Sequence, residues 1–257
     1  MINFVIQIFI FLFGLCIGSF LNVCIYRLPI SKSIASPSRS ICPGCGSMIR
    51  FYDNIPVVSY LLLNRKCRHC GCIIPFRYPM VEILSGLCAI FILNKFGLSI
   101  DFFVYFIFIS SLIVVTFIDL DHRIIPDAIT LPGIPIFFAL SFLLSEPDWI
   151  NSALGIIAGG GSLLAIAWTY NLLTGKEGMG GGDIKLLAMI GALAGWKGVL
   201  FTIFVSSAVG TIIGIILMIV TRKGMKLAVP FGPFLSLGAV IYIFFGTDLI
   251  NWYFNFL

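Results

Sequence analysis

The sequence predicts an all-α polytopic membrane protein with about eight transmembrane helices and one polar, cysteine-bearing loop. Composition, the length of the apolar runs and the placement of basic residues each point to it. Of 257 residues, 60% are hydrophobic and 11% charged, whereas soluble domains run at about 45–50% apolar and about 25% charged. Mean hydropathy is +1.10. These values exclude a nucleic-acid binder, a disordered tail protein and a secreted disulfide miniprotein.

A helix needs about 20 apolar residues to cross the hydrocarbon core. Runs of that kind fall at 2–26, 80–96, 100–119, 128–145, 152–173, 183–196, 198–221 and 230–250. The first has no basic leader and no A-x-A-like site after it, so it is read as a span and not a signal peptide. The sixth is short and rich in glycine, and the basic residues decide whether it counts. Arg27, Lys32, Arg39, Arg50, Arg65, Lys66, Arg68 and Arg77 lie in the first loop, with Asp53 as its one acid. Arg123, Lys176, Lys185, Arg222, Lys223 and Lys226 fall in other loops on the same side if there are eight spans. That puts 14 of the 16 basic residues on one face and leaves Lys95 and Lys197 on the other. Positive-inside asymmetry makes the first face cytoplasmic, with both termini outside. Seven spans would scramble the split.

The chain therefore divides into a first transmembrane helix (1–27), a cytoplasmic insertion (28–79) and a seven-helix membrane domain (80–257). Glycines four apart at Gly14/Gly18, Gly155/Gly159, Gly191/Gly195 and Gly210/Gly214 let helix backbones approach closely in lipid. They are read as packing within one bundle and not as a dimer interface.

The insertion carries Cys42-Pro43-Gly44-Cys45-Gly46 and Cys67-Arg68-His69-Cys70-Gly71. Two C-x-x-C pairs in one short loop have the spacing of a zinc site, with Cys42, Cys45, Cys67 and Cys70 as tetrahedral thiolate ligands. Each following glycine is free to take positive φ and turn backbone N–H groups toward a thiolate. Disulfides are the competing reading, and a reducing cytosol argues against them. Four thiolates leave no position for water, so the zinc is structural. Cys72 and His69 are spare donors. Cys16, Cys24 and Cys88 sit in spans and read as packing residues.

Acids at a membrane boundary default to functional hypotheses. Asp119 ends the third span, within Asp119-Leu120-Asp121-His122-Arg123-Ile124-Ile125-Pro126-Asp127. Asp183 opens the sixth, after Gly178-Met179-Gly180-Gly181-Gly182. Two antiparallel spans join them, so both reach the cytoplasmic level of the bundle. Two carboxylates at close range share a proton. In an aspartic protease one of them activates water while the other polarises the scissile carbonyl. The glycines at 178–182, Gly180 and Gly182 among them, let an extended substrate backbone come close. Asp121 and Asp127 read as interface residues, with Asp127 placed to cap the fourth span after Pro126. On these grounds alone, a carboxylate-based, ion-coupled transporter with broken helices is an equal alternative.

Further segments narrow the choice. They are Gly18-Ser19-Phe20-Leu21-Asn22-Val23 with Arg27-Leu28-Pro29, the two C-x-x-C-G pairs, and Asn54-Ile55-Pro56-Val57-Val58-Ser59-Tyr60. Arg77-Tyr78-Pro79-Met80-Val81-Glu82, the Asp119 segment, Thr174 through Asp183 and Pro230-Phe231-Gly232-Pro233 follow. In that order, and over the whole chain, the sequence resembles the type IV prepilin peptidases of pilus, type II secretion and competence systems. The resemblance implies a G-x-G-D aspartyl protease of the bacterial inner membrane, distantly like presenilin, with Asp119 and Asp183 as catalytic residues. It implies cleavage of prepilins or pseudopilins after a leader Gly, before an apolar helix. N-methylation of the new terminus by S-adenosylmethionine follows. It places the methyltransferase with the N-terminal insertion and its neighbouring spans. No Gly-rich Rossmann turn follows a strand. Asn22, Arg27 and Glu82 are polar residues at the ends of spans there, available to cofactor or substrate amine. A buried Arg27–Glu82 ion pair is the competing reading. The net positive loop suits anionic lipid headgroups better than a basic leader.

Overall fold

The computed structural model describes residues 4–37, 39–144, 146–175, 180–221 and 229–256. Among them are eight α-helices and no strand, only isolated bridges. The helices are α1 (Phe4–Arg27), α2 (Val58–Leu62), α3 (Arg77–Phe96), α4 (Ile100–His122), α5 (Asp127–Ser141), α6 (Trp149–Thr174), α7 (Gly181–Thr221) and α8 (Gly232–Phe256). Five of them, α1, α3, α4, α6 and α7, are long and apolar enough to cross a membrane, while α5 and α8 offer shorter apolar stretches.

The expected spans map onto these helices with two differences. α5 ends at Ser141, and it carries Pro132 and Pro135 inside it. At 15 residues it extends only about 22 Å at about 1.5 Å per residue, short of the ~30 Å hydrocarbon core. The expected sixth and seventh spans form the one element α7, whose helical geometry breaks at Gly195 (φ 67°, ψ −179°). Only a residue without Cβ adopts that φ with extended ψ at little cost. The break falls at the boundary expected between the two spans.

The chain forms two compact units, Met1–Val114 and Val115–Leu257, divided within α4. In the first unit, α1 packs along α3. A Cβ built on Gly14 would lie 2.7 Å from Gly86 Cα, and one on Gly18 would lie 2.6 Å from Glu82 Cα. The two backbones therefore touch. Phe96 stacks on Tyr105 with ring centroids 4.5 Å apart, seating the start of α4. Phe102, Phe108, Ile109 and Leu112 are fully buried.

In the second unit, α7 is the central helix and packs against α5, α6 and α8. α6 starts at the N-cap Asp148, whose carboxylate accepts from the Asn151 N–H at 3.1 Å. α6 and α7 meet at Gly155 and Gly191. A Cβ on either glycine would fall 2.1 Å from the carbonyl oxygen of the other. One on Gly159 would fall 2.4 Å from Leu187 O. Ser152 Oγ donates to Ala192 O at 2.6 Å in the same buried seam. Gly210 lies against the Phe234 ring and Gly214 faces open space, so the fourth glycine pair makes no backbone contact.

Gly191→Ala should lower stability by about 1–3 kcal/mol through overpacking, read as a fall in the thermal midpoint of the detergent-solubilised protein. Gly214→Ala should leave the midpoint nearly unchanged. Equal midpoints for the two variants would contradict a backbone contact between α6 and α7.

Candidate functional sites

The cysteine site is built from two copies of one turn. In the first, Cys42 N–H donates to Ser47 O and Gly46 N–H to Cys42 O, both at 2.9 Å. In the second, Cys67 N–H donates to Cys72 O at 2.8 Å and Gly71 N–H to Cys67 O at 2.9 Å. The isolated bridges Ile41–Met48 and Lys66–Ile73 close the two turns. Gly46 and Gly71 both have φ 69°, the conformation that each C-x-x-C-G motif requires of its last residue. The sulfurs of Cys42, Cys45, Cys67 and Cys70 all lie within 4.8 Å of one another. Cys72 Sγ stands 3.4 Å from Cys42 Sγ, so the spare cysteine borders the cluster.

The electrostatics of the cluster follow from its amides. The N–H groups of Cys70 and His69 pull the Cys67 thiol down to about 6. Cys70 feels the Cys72 amide pulling its thiol down, but the thiols of Cys72, Cys45 and Cys67, together with burial, push it up to about 12. Four sulfurs this close cannot all be anionic without a cation among them. The donor set and spacing are those of a site able to hold a metal ion. Beside it, Arg68 grips Asp53 with Nε and Nη2 at 2.7–3.2 Å and holds that carboxyl below its ordinary range.

The second site lies in the second unit. Asp119, near the end of α4, and Asp183, in the first turn of α7, line one cavity of about 400 Å³ together with Gly180 and Gly182. Arg123, Ile125, Asp127 and Phe231 complete much of its wall. Asp119 is 4% exposed, and its Oδ2 accepts the Gly232 N–H at 2.9 Å. Any side chain at 232 would collide with that carboxylate, because an added Cβ would lie 2.7 Å from Oδ2. Gly182 is pressed on Ile125 in the same manner, its Cβ position 2.9 Å from Ile125 Cβ. Asp183 N–H donates to Gly180 O at 3.2 Å, a turn that leads from Gly180 into α7. Lys176, Glu177, Gly178 and Met179 lie outside the described residues, as do Arg222, Lys223 and Lys226.

Gly232 is the residue whose role was not read from the sequence. The sequence offers it only within the Pro230-Phe231-Gly232-Pro233 segment of the family resemblance, and nothing in the chain shows that α8 begins against Asp119. Three smaller expectations are corrected. Asp127 does not cap α5: Pro126 occupies the cap position without a side-chain bond. The Asp127 carboxylate instead receives Lys185 Nζ at 2.8 Å on both oxygens. Arg27 and Glu82 do not pair. The Arg27 guanidinium donates to the carbonyls of Ser33, Ile34, Pro37 and Arg39, while Glu82 Oε2 accepts the Val57 N–H. Cys16 is exposed, in contrast to buried Cys24.

Comparison with known proteins gives the family. Residues 12–96 match the bacterial peptidase A24 N-terminal domain, and residues 106–215 match the type IV leader peptidase family. A prepilin leader peptidase/N-methyltransferase of Pseudomonas putida is 35% identical, over 92% of this chain and 89% of its own. One of Aeromonas hydrophila is 37% identical, over 95% of this chain and 92% of its own. One of Myxococcus xanthus is 38% identical, over 84% of this chain and 64% of its own. No solved structure matches. The first matched segment carries the cysteine cluster, the second carries both aspartates, and the relatives span most of this chain: it belongs to the type IV leader peptidase family.

Proposed function

We propose that this protein cleaves the basic leader from type IV prepilins or pseudopilins after a Gly and N-methylates the new terminus with S-adenosylmethionine. The observation that carries the protease half is the shared cavity of Asp119 and Asp183. One carboxylate takes a proton from the attacking water. The other, protonated, donates to the scissile carbonyl and stabilises the oxyanion that forms there. When the intermediate collapses, the C–N bond breaks and the leaving amine takes up a proton. The Gly232 N–H holds Oδ2 of Asp119 and leaves Oδ1 for this chemistry. Gly180 and Gly182 keep the cavity edge free of side chains, so a peptide backbone can lie along it.

Family membership favours a peptidase over the ion-coupled carrier, as does a pair of carboxylates edged by glycine. The biased placement of basic residues supports a multi-pass protein of the bacterial inner membrane, with the cysteine loop and the aspartates on its cytoplasmic side. A substrate with a basic cytosolic leader and an apolar helix suits that position. In this arrangement the three parts are the first span (1–27), the insertion (28–79) and the membrane domain (80–257). The ion at Cys42, Cys45, Cys67 and Cys70 is a structural zinc: four thiolates satisfy its tetrahedral preference and leave no open position. S-adenosylmethionine, when bound, supplies a methyl group activated on a sulfonium sulfur.

The direct test mixes the purified protein with a prepilin and S-adenosylmethionine and reads the product N-terminus by mass spectrometry. A product that begins after Gly and carries one added methyl group is expected. Asp119→Asn and Asp183→Asn should each abolish cleavage without shifting the thermal midpoint. Near-wild-type cleavage by either would remove the dyad. Gly232→Ala should slow cleavage by about a hundredfold, the scale of a 1 Å misplacement at a reacting group. Cys42→Ser and Cys67→Ser should lower both zinc content and the midpoint, whereas Cys72→Ser should keep one zinc per chain. Elemental analysis of the purified variants decides, and full zinc in both ligand variants would sink the assignment.

A further inference from the structure

The first unit contains a second cavity, of about 280 Å³, near the lower bound of about 300 Å³ for small-molecule sites. It lies among the ends of α1 and α3 and the cysteine turns, and its wall includes Asn22, Tyr26, Tyr60, Tyr78 and Glu82. Two groups in that wall are unusual. Asn22 is 4% exposed, and its Oδ1 has no donor. The Asn22 amide is not free to turn over, because Nδ2 donates to Tyr78 O at 3.1 Å. The acceptor end is thereby fixed and unsatisfied, which costs stability in a buried group. Glu82 is 7% exposed, and Arg27, the residue expected to pair with it, is taken up by four backbone carbonyls.

A third feature marks the same place. Val57 has φ 61° and ψ −48°, a strained γ-turn conformation that is a genuine outlier for a β-branched residue. Its N–H reaches Glu82 Oε2 at 2.7 Å. Such backbone persists where the surroundings over-determine it, and it clusters at ligand sites. The wall thus offers a carboxylate and an amide oxygen beside tyrosine rings, and Arg27, Lys32, Arg50 and Arg68 line the same cavity. That set recognises a small zwitterionic ligand, one that bears positive charge and N–H groups together with an anionic group, and aromatic faces add attraction for its cation.

We infer that this cavity is the methyl-donor site and that Glu82 and Asn22 recognise S-adenosylmethionine there. The inference rests on the methyltransferase half of the proposed function. The donor fits the wall: it carries a sulfonium, an ammonium and an adenine amino group, all of which seek acceptors or π faces. Arg27 belongs to the scaffold of this site and not to its ligand shell.

The test is calorimetric binding of S-adenosylmethionine to the full-length protein in detergent, with no prepilin present. Wild type should bind, and Glu82→Gln and Asn22→Leu should each weaken binding tenfold or more. Zinc content, thermal midpoint and prepilin cleavage report that each variant is intact. Either variant alone decides if the other fails to fold. Wild-type affinity in an intact variant would overturn the assignment. So would a variant that keeps this affinity but loses binding to a peptide with the mature pilin N-terminus, since the cavity would then hold the acceptor amine. Failure of the wild type to cleave prepilin would strike the proposed function instead, and the two failures are separately visible.

Discussion

Helices in an apolar medium gain little from burying apolar side chains against one another, so close packing must come from backbones brought into contact. Gly155 and Gly191 do this for α6 and α7, and Gly14 and Gly18 do it for α1 against α3. The α6–α7 contact fixes the register of α7, and the register of α7 sets the height of Asp183 in its first turn. At the open ends of the helices the same device recurs with a different purpose. Gly182 lies on Ile125, and Gly232 lies on the Asp119 carboxylate. Missing side chains thus build the scaffold and also bring backbone to the acidic groups.

The site joins residues far apart in the chain through one buried hydrogen bond. Gly232 and Asp119 are 113 residues apart, and the N–H of one satisfies an oxygen of the other. The first N–H groups of a helix have no partner within it. A buried carboxylate needs donors. Each group removes the other's deficit, which gives α8 a defined starting point beside α4.

Much of this was legible in the sequence, for physical reasons. The long apolar helices are written in run length, and the cysteine turns in a local spacing closed by glycines that need positive φ. The acids stood out because there are few of them and two sit at helix ends. What escaped was tertiary pairing. No periodicity tells that Lys185 will take Asp127, or that Arg27 will spend its guanidinium on carbonyls and leave Glu82 to the Val57 N–H. Each of those choices depends on where a loop turns back, and the loop carries no apolar repeat to show it. α7 lies between these extremes: a boundary between spans near Lys197 follows from the sequence, but the break at Gly195 and the continuation of one helical element through it do not.

The two clusters of chemistry-bearing groups also differ in how they meet the cost of burial. Around Asp119 the cost is offset from within, by a backbone amide. Around the cysteines it is offset by amides and calls for a cation, because mutual repulsion limits how many thiols ionise together. The wall of Asn22 and Glu82 stands between these cases. One of its oxygens has a backbone donor and another has none, and the Arg27 guanidinium is turned to backbone carbonyls. A protein that leaves an acceptor unmet in so confined a space loses stability relative to an apolar replacement of the same shape. That loss is recovered if a ligand supplies the missing donors, and then it contributes to selectivity, since a ligand without them would leave the same oxygen unpaired.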